Sequence, residues 1–161
     1  MINSKPLNVW SRDEEEIGRL LSNFAHTPFV LDDIAYESIE GFYASILLEH
    51  NVEKQQRARG LHGMKAKRCV PKNKPESFNY RDEVIMLGSA EHHELLKRAL
   101  RAKLEAHPEI AEAFIETRPR PVIHETGYPH NPDAEFSHLV FCRILTELRD
   151  EFADEPESSK N

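Results

Sequence analysis

Between Ala90 and Ala106 the apolar side chains fall at Leu95, Leu96, Ala99, Leu100 and Leu104. Steps of one, three and four residues put all five on one face of an α-helix, whereas a strand would alternate them from side to side. Ser89 stands at the N-cap, where its hydroxyl oxygen accepts from a free amide of the first turn. Pro108 opens a second helix, PEIAEAFIET, because the first helical amide has no intrahelical partner to lose. SHLVFCRILTELRDEF (137–152) is a further amphipathic helix with a serine at its start. Three such segments make the chain mainly α.

The N-terminal part adds a small β element. LNVW (7–10) is strand-like, and PFVLDDIAYES (28–38) is apolar on both sides of Asp32-Asp33, which predicts a small hairpin. Ser11 and Glu14 stand at capping-box spacing and predict one helical turn within 11–21. Ser38 caps a helix expected to reach about His50. Gly60 and Gly63 divide residues 52–69 into two short helices. VPKNKPESFNY (70–80) reads as a loop, and residues 118–136, with four prolines, as irregular. The expected fold class is therefore α+β, helix-dominated, in one domain over residues 1–155 with a disordered acidic tail at 156–161.

The bulk chemistry excludes some functions. The 161 residues carry a net charge of −7, which argues against general affinity for a nucleic-acid backbone. Cys69 and Cys142 form neither a CxxC nor a zinc pattern and read as free thiols of a reducing compartment. No apolar leader opens the chain, and no run approaches the roughly 20 apolar residues of a membrane span. A cytoplasmic protein without membrane contact is expected.

One acid stands out. In ESIEGFYASILL (37–48), Glu40 lies in the first helical turn, and its face neighbours are Tyr43, Ala44 and Leu47. None of them is charged, and none can form a salt bridge with a carboxylate. Two readings are open. An acid in a first turn complements the helix dipole and faces water. Alternatively, an acid at the edge of an apolar face has a raised pKa suited to proton transfer or to steadying a cationic transition state.

The order of elements favours the second reading. GRLLSNFAHTPFVLDDIAYESIEGFYASILL resembles the N-terminal half of YbiA-like proteins of the NADAR superfamily, through Leu21-Ser22-Asn23-Phe24, Pro28-Phe29-Val30-Leu31-Asp32, Tyr36, Ser38, Glu40 and Tyr43. GMKAKRC (63–69), the helix pair within 95–117 and FCRILTELRDEF (141–152) extend the likeness over residues 8–152. The resemblance implies a YbiA-like fold and N-glycosidic chemistry on ADP-ribose or NAD derivatives. Relatives remove ADP-ribose from modified guanine or cleave a ribosylamino-pyrimidine intermediate of riboflavin biosynthesis, and the glutamate matching Glu40 is implicated in catalysis there. The chain departs from the pattern at Leu47, where many relatives carry a lysine.

The chemistry so implied is hydrolysis of a ribosyl–nitrogen bond. One carboxylate, Glu40, steadies the developing oxocarbenium ion or activates water, and an acid protonates the leaving base. With Leu47 in place of lysine, water is the expected nucleophile, and Lys67 and Lys103 are fallback amines. Lys67 and Arg68 of KAKR, with Lys65, Arg57 and Arg59 nearby, suit phosphate. Ser22 and Asn23 belong to the same matched motif, and Asn23 can hydrogen-bond a ribose or amide. Phe24, Tyr43 and Tyr80 offer rings. His124, in a loop, is a candidate acid or substrate ligand. The expected partner is an ADP-ribose-type or phosphoribosyl small molecule, or an ADP-ribosylated nucleic acid, with no cofactor.

A metal is not expected. His92 and His93 are adjacent on a helix and diverge by roughly 100°, and HExxH is absent. His93 reads as the packed one of the pair and His92 as exposed or lining a pocket. GxSxG is absent as well. The competing function is a module that binds ADP-ribose, NAD or a nucleotide without turnover.

Overall fold

The computed structural model describes residues 5–155. The acidic tail expected at 156–161 lies outside the described residues. Seven helices and six short strands follow in the order β1 (Leu7–Asn8), α1 (Glu16–Leu21), β2 (Phe29–Leu31), β3 (Ile34–Tyr36), α2 (Ile39–Ile46), α3 (Val52–Arg59), α4 (Gly63–Lys67), β4 (Ser77–Tyr80), β5 (Glu83–Met86), α5 (Ala90–Ala106), α6 (Pro108–Glu116), β6 (Val122–Ile123) and α7 (His138–Ala153). The fold is helix-dominated α+β. No helix among the described residues is long and apolar enough to cross a membrane.

Local chemistry starts most of the helices. The hydroxyl oxygens of Ser38, Ser89 and Ser137 accept from the amides of Gly41, His92 and Val140, and Asn51 caps α3 by accepting from Lys54. Each bond satisfies an amide that the first turn leaves free. α1 departs from the expected capping box. It starts at Glu16 without a side-chain cap, and Asp13 accepts from the Glu15 amide at 3.1 Å. α2 stops at Ile46, short of His50.

The expected hairpin pairs Phe29 with Tyr36 and Leu31 with Ile34 around Asp32-Asp33, both at positive φ. The stretch read as a loop, 70–80, ends in the first strand of a second hairpin. β4 pairs with β5 around Arg81-Asp82, again at positive φ (49° and 69°). Neither turn has a glycine, and the second offers no conventional turn signal. Tertiary bonds hold it. Tyr80 donates to Asp32 at 2.6 Å, and the Asp32 carboxylate pairs with Arg81 at 2.9 Å and Arg98 at 2.7 Å. One aspartate thus ties both turns to α5. β1 pairs in parallel with β6, which lies inside the segment expected to be irregular.

α5 runs through the centre. Its Leu95, Leu96, Ala99, Leu100 and Leu104 are buried with Phe42 and Ile46 of α2, Ile110 and Phe114 of α6, and Ile144 and Leu148 of α7. Leu47 is also buried. One core results, with the start of α2 at its margin.

Candidate functional site

Three segments meet at the first turn of α2. Ser38 Oγ accepts from the Gly41 amide and donates to the Leu61 carbonyl, both at 2.9 Å. The Glu40 amide donates to the Asn23 carbonyl at 3.0 Å. The Gly63 amide, at a φ of 62° that favours glycine, donates to the Phe24 carbonyl at 3.1 Å. The Ser-Asn-Phe turn is closed from within by Ser22 Oγ, which accepts from the Phe24 amide at 3.2 Å. Buried Lys103 donates to the Ser22 carbonyl from below at 3.1 Å. The turn is therefore held by α2, α4 and α5 together.

The Glu40 side chain has no hydrogen bond or ion pair to any described residue. The residue keeps a solvent-accessible face, yet protein crowds the carboxyl group. Burial pushes its pKa up to about 7, and the positive charges of Lys67 and Lys74 only partly offset this. An acid poised near neutrality with two cations in electrostatic reach can serve as a base or stabilise positive charge. Asn23 Oδ1 is buried without a partner. It is an acceptor whose hydrogen bond is left for something else to supply.

Around this acid lies a network that sequence reasoning missed. Tyr43 donates to Glu135 in a short hydrogen bond, Lys74 pairs with the same carboxylate at 2.6 Å, and His93 bonds the Glu135 carbonyl at 2.8 Å. Burial raises the Glu135 pKa, but the bonds from Lys74 and Tyr43 outweigh it and hold the group below the usual range. Burial, and then the bond to Glu135, raises the Tyr43 pKa, so its hydroxyl stays protonated. Lys74 Nζ lies 5.8 Å from the Tyr43 ring centroid, and Lys67 Nζ lies 5.9 Å from that of Phe24. Both are cation–π distances.

Glu40, Asn23, Phe24, Tyr43 and Lys67 are thus brought to one place, with Ser22 supporting the turn. Other candidates are not. Tyr80 is occupied by Asp32. His124 Nδ1 bonds the Val9 carbonyl at 2.5 Å, and its ring packs edge-on against Phe141 at 5.6 Å. Burial lowers its pKa, which suits a neutral structural ring. Arg68 lines a separate cleft with Lys65. The two histidines of α5 exchange their expected roles. His92 is fully buried, accepts from the Gly88 amide at 3.0 Å and has its pKa pushed down by burial to about 4. His93 is half-buried against the Glu135 loop. No group of three or more potential metal ligands occurs among the described residues. Two surface clefts, of about 680 and 420 Å³, lie between α3 and α4 and beside Trp10; Glu40 lines neither.

A segment of 49 residues is 46% identical to an uncharacterised 17.1 kDa protein from the Gp30-rIII intergenic region of Enterobacteria phage T4. It covers 30% of this chain and 32% of that protein, so the match spans about a third of that relative's length. The NMR structure of E. coli YbiA superposes with a TM-score of 0.67 over 95% of this chain and 88% of that one, at 22% identity, and so shares the fold. Residues 16–150 match the family described as bacteriophage protein GP30.3. The chain belongs to the bacteriophage GP30.3 protein family.

Proposed function

We propose that the protein hydrolyses a ribosyl–nitrogen bond in an ADP-ribose-type or phosphoribosyl substrate, with Glu40 as its catalytic carboxylate. The observation that carries this reading is the unpaired Glu40 carboxyl group, raised to about 7 beside two cations. A structural acid in a first turn is normally solvated or paired. This one is unpaired and crowded by protein on most sides, and its surroundings suit a group that changes charge during a reaction. The YbiA fold supports the same chemistry by resemblance.

In this reading the substrate phosphates pair with Lys67 and Lys74, while Asn23 Oδ1 accepts from a ribose hydroxyl or base amide. As the C1–nitrogen bond breaks, positive charge spreads over C1 and the ring oxygen, and the Glu40 carboxylate faces it. Water then adds its oxygen to C1 while Glu40 takes one of its protons, and that proton passes to the nitrogen of the departing base, which leaves neutral. A lysine imine has no support at position 47, where the side chain is a buried leucine. That same observation favours a second reading, a binding module for ADP-ribose or a nucleotide that lacks turnover.

The test is incubation with an ADP-ribosylated guanine oligonucleotide, NAD and a ribosylamino-pyrimidine phosphate, followed by mass spectrometry. Release of free base from one of them is expected. Glu40→Gln should abolish release and retain the thermal shift given by ADP-ribose, because a ligand that binds only the folded state raises its stability. A thermal shift with no product from any substrate would favour the binding module. Neither a shift nor product would sink both readings.

A further inference from the structure

The positive charges of this acidic chain are unevenly compensated. Arg81 and Arg98 sit on Asp32, Lys97 and Arg101 on Glu151, Arg120 on Glu15, and Lys74 on Glu135. Among the described cations that have no ion-pair partner, four lie together: Lys54 and Arg57 of α3, Lys65 of α4 and Arg68 at its end. All four line the 680 Å³ cleft. No carboxylate and no aromatic ring lines it; Leu48, Leu61 and Val70 supply apolar surface.

The cleft is built, not incidental. Ala58 and Leu61 carbonyl oxygens would lie 2.5 and 2.8 Å from a Cβ on Gly41, so the chain around α3 packs directly on the α2 backbone. The Ser38 bond to Leu61 fixes the connection to α4. Within α3, Lys54 and Arg57 are three residues apart, as are Lys65 and Arg68 along α4, a rise of about 4.5 Å in each case. Two short rows of cations result, one from each helix.

We propose that this cleft binds the sugar–phosphate backbone of a single-stranded nucleic acid. Two cation rows fit a ligand that repeats its charge along a chain, and the two guanidiniums can grip phosphate oxygens bidentately. The absence of a ring to stack a base makes the recognition independent of sequence. The volume falls in the range of roughly 300–1,000 Å³ that houses small ligands, enough for a stretch of strand and too little for a duplex. An acidic peptide presents its charges on flexible side chains and matches the repeat less well. The net charge of −7 does not oppose this, because the local field decides where a strand settles. The site is distinct from the Glu40 site, although α4 serves both, turning Lys67 to Phe24 and Lys65 and Arg68 to the cleft.

The test is fluorescence anisotropy of a labelled oligothymidylate against the full chain over 50–200 mM salt. Binding should weaken with salt at a log–log slope of about −3, from four contacts at roughly −0.7 each. Arg57→Gln/Arg68→Gln, both exposed, should bind at least about tenfold more weakly with a slope shallower by about 1.4. Arg12→Gln, in the other cleft, and Glu40→Gln should bind like the parent, so the result stands apart from the catalytic reading. No binding at 50 mM salt would overturn the proposal, as would an unchanged slope in a double variant whose circular dichroism matches the parent. Competition by polyglutamate or inorganic tripolyphosphate as strong as that of unlabelled strand would overturn it too.

Discussion

The amide of Glu40 donates to the carbonyl of Asn23 across 3.0 Å. This bond couples the Ser-Asn-Phe turn to the first turn of α2, so the only unpartnered acceptor of the turn, Asn23 Oδ1, and the unpaired acid of the helix are set by one backbone contact. The turn cannot shift without moving the acid. Lys103 beneath and Gly63 beside it close the remaining freedom.

Glu40→Gln should stabilise the fold at neutral and alkaline pH. The folded-state pKa, about 7, lies above the ordinary 4.5. The folded state therefore binds the proton more tightly, and the acid's contribution is fully present below pH 4.5 and lost as pH rises through 7. The glutamine has no charge to desolvate. Thermal melts should coincide for the two proteins at pH 4 and diverge between pH 4.5 and 7. Above that the variant should be ahead by about 2–3 kcal/mol, or roughly 5–10 °C. Equal melts at pH 8 would show that the carboxylate is freely solvated.

If Glu40 acts as its anion, turnover must rise with pH through an apparent pKa near 7 and then level off. Lys67→Met removes a charge that lowers this pKa, so the rising limb should move to higher pH. Saturating rates at pH 7 should then fall while those at pH 9 are retained. Glu40→Gln should lose at least about 100-fold at every pH. A flat profile in the parent would assign the base elsewhere.

Glu135→Gln tests the network around the acid. Without the second negative charge, Lys74 loses its ion-pair partner at 2.6 Å, and Tyr43 keeps only a weaker acceptor. Released Lys74 can turn more fully toward Glu40, whose pKa it lowers. The apparent pKa of turnover should move to lower pH, opposite to Lys67→Met. Shifts in the same direction for both variants would mean that Glu135 does not position Lys74.

Cap chemistry is local, and this made much of the fold legible. Ser38, Ser89 and Ser137 each do in the structure what a serine before a periodic apolar run suggests. That Glu40 would lack an ion pair was legible because its helix neighbours include no cation. What was not legible depends on partners distant in sequence. Tyr80 faces Asp32, and Glu135 reaches Tyr43 from a proline-broken loop with no periodicity to orient it. The β4–β5 hairpin rests on Arg81-Asp82, a turn pair stabilised by contacts rather than by residue type. For His92 the signal was present. Leu95 and Leu96 stand three and four residues on, which puts His92 squarely on the buried face, in contact with Phe78 at 5.2 Å.

Lys103→Met should reveal the cost of a buried ammonium. Burial lowers the Lys103 pKa to about 7, so the folded state holds its proton less tightly than the unfolded chain. The charged form costs stability fully below pH 7, and the cost fades as pH rises toward the ordinary 10.5. Methionine carries no such cost, though it leaves the Ser22 carbonyl without its donor. Relative to the parent, the variant should therefore lose ground steadily from pH 7 to pH 10. Chemical denaturation across that range measures it, and a pH-independent difference would mean that the amine is solvated. Retained turnover would also exclude Lys103 as an imine-forming nucleophile.

Gly41→Ala asks how closely the site depends on packing. The new Cβ would meet the Ala58 and Leu61 carbonyl oxygens at 2.5 and 2.8 Å, both backbone atoms that cannot swing away. Helix propensity alone would favour alanine by up to about 1 kcal/mol. The overlap opposes it and should win, because relieving it separates α2 from α3 and weakens the Ser38–Leu61 bond. A net loss of about 1–3 kcal/mol is expected, a fall in Tm of roughly 3–10 °C. Since Glu40 is the adjacent residue, turnover should fall with it, and oligonucleotide affinity should weaken because the same displacement moves the α3 wall of the cleft. A variant as stable as the parent would show that α3 is free to slide on α2, and that neither site is held as tightly as these contacts require.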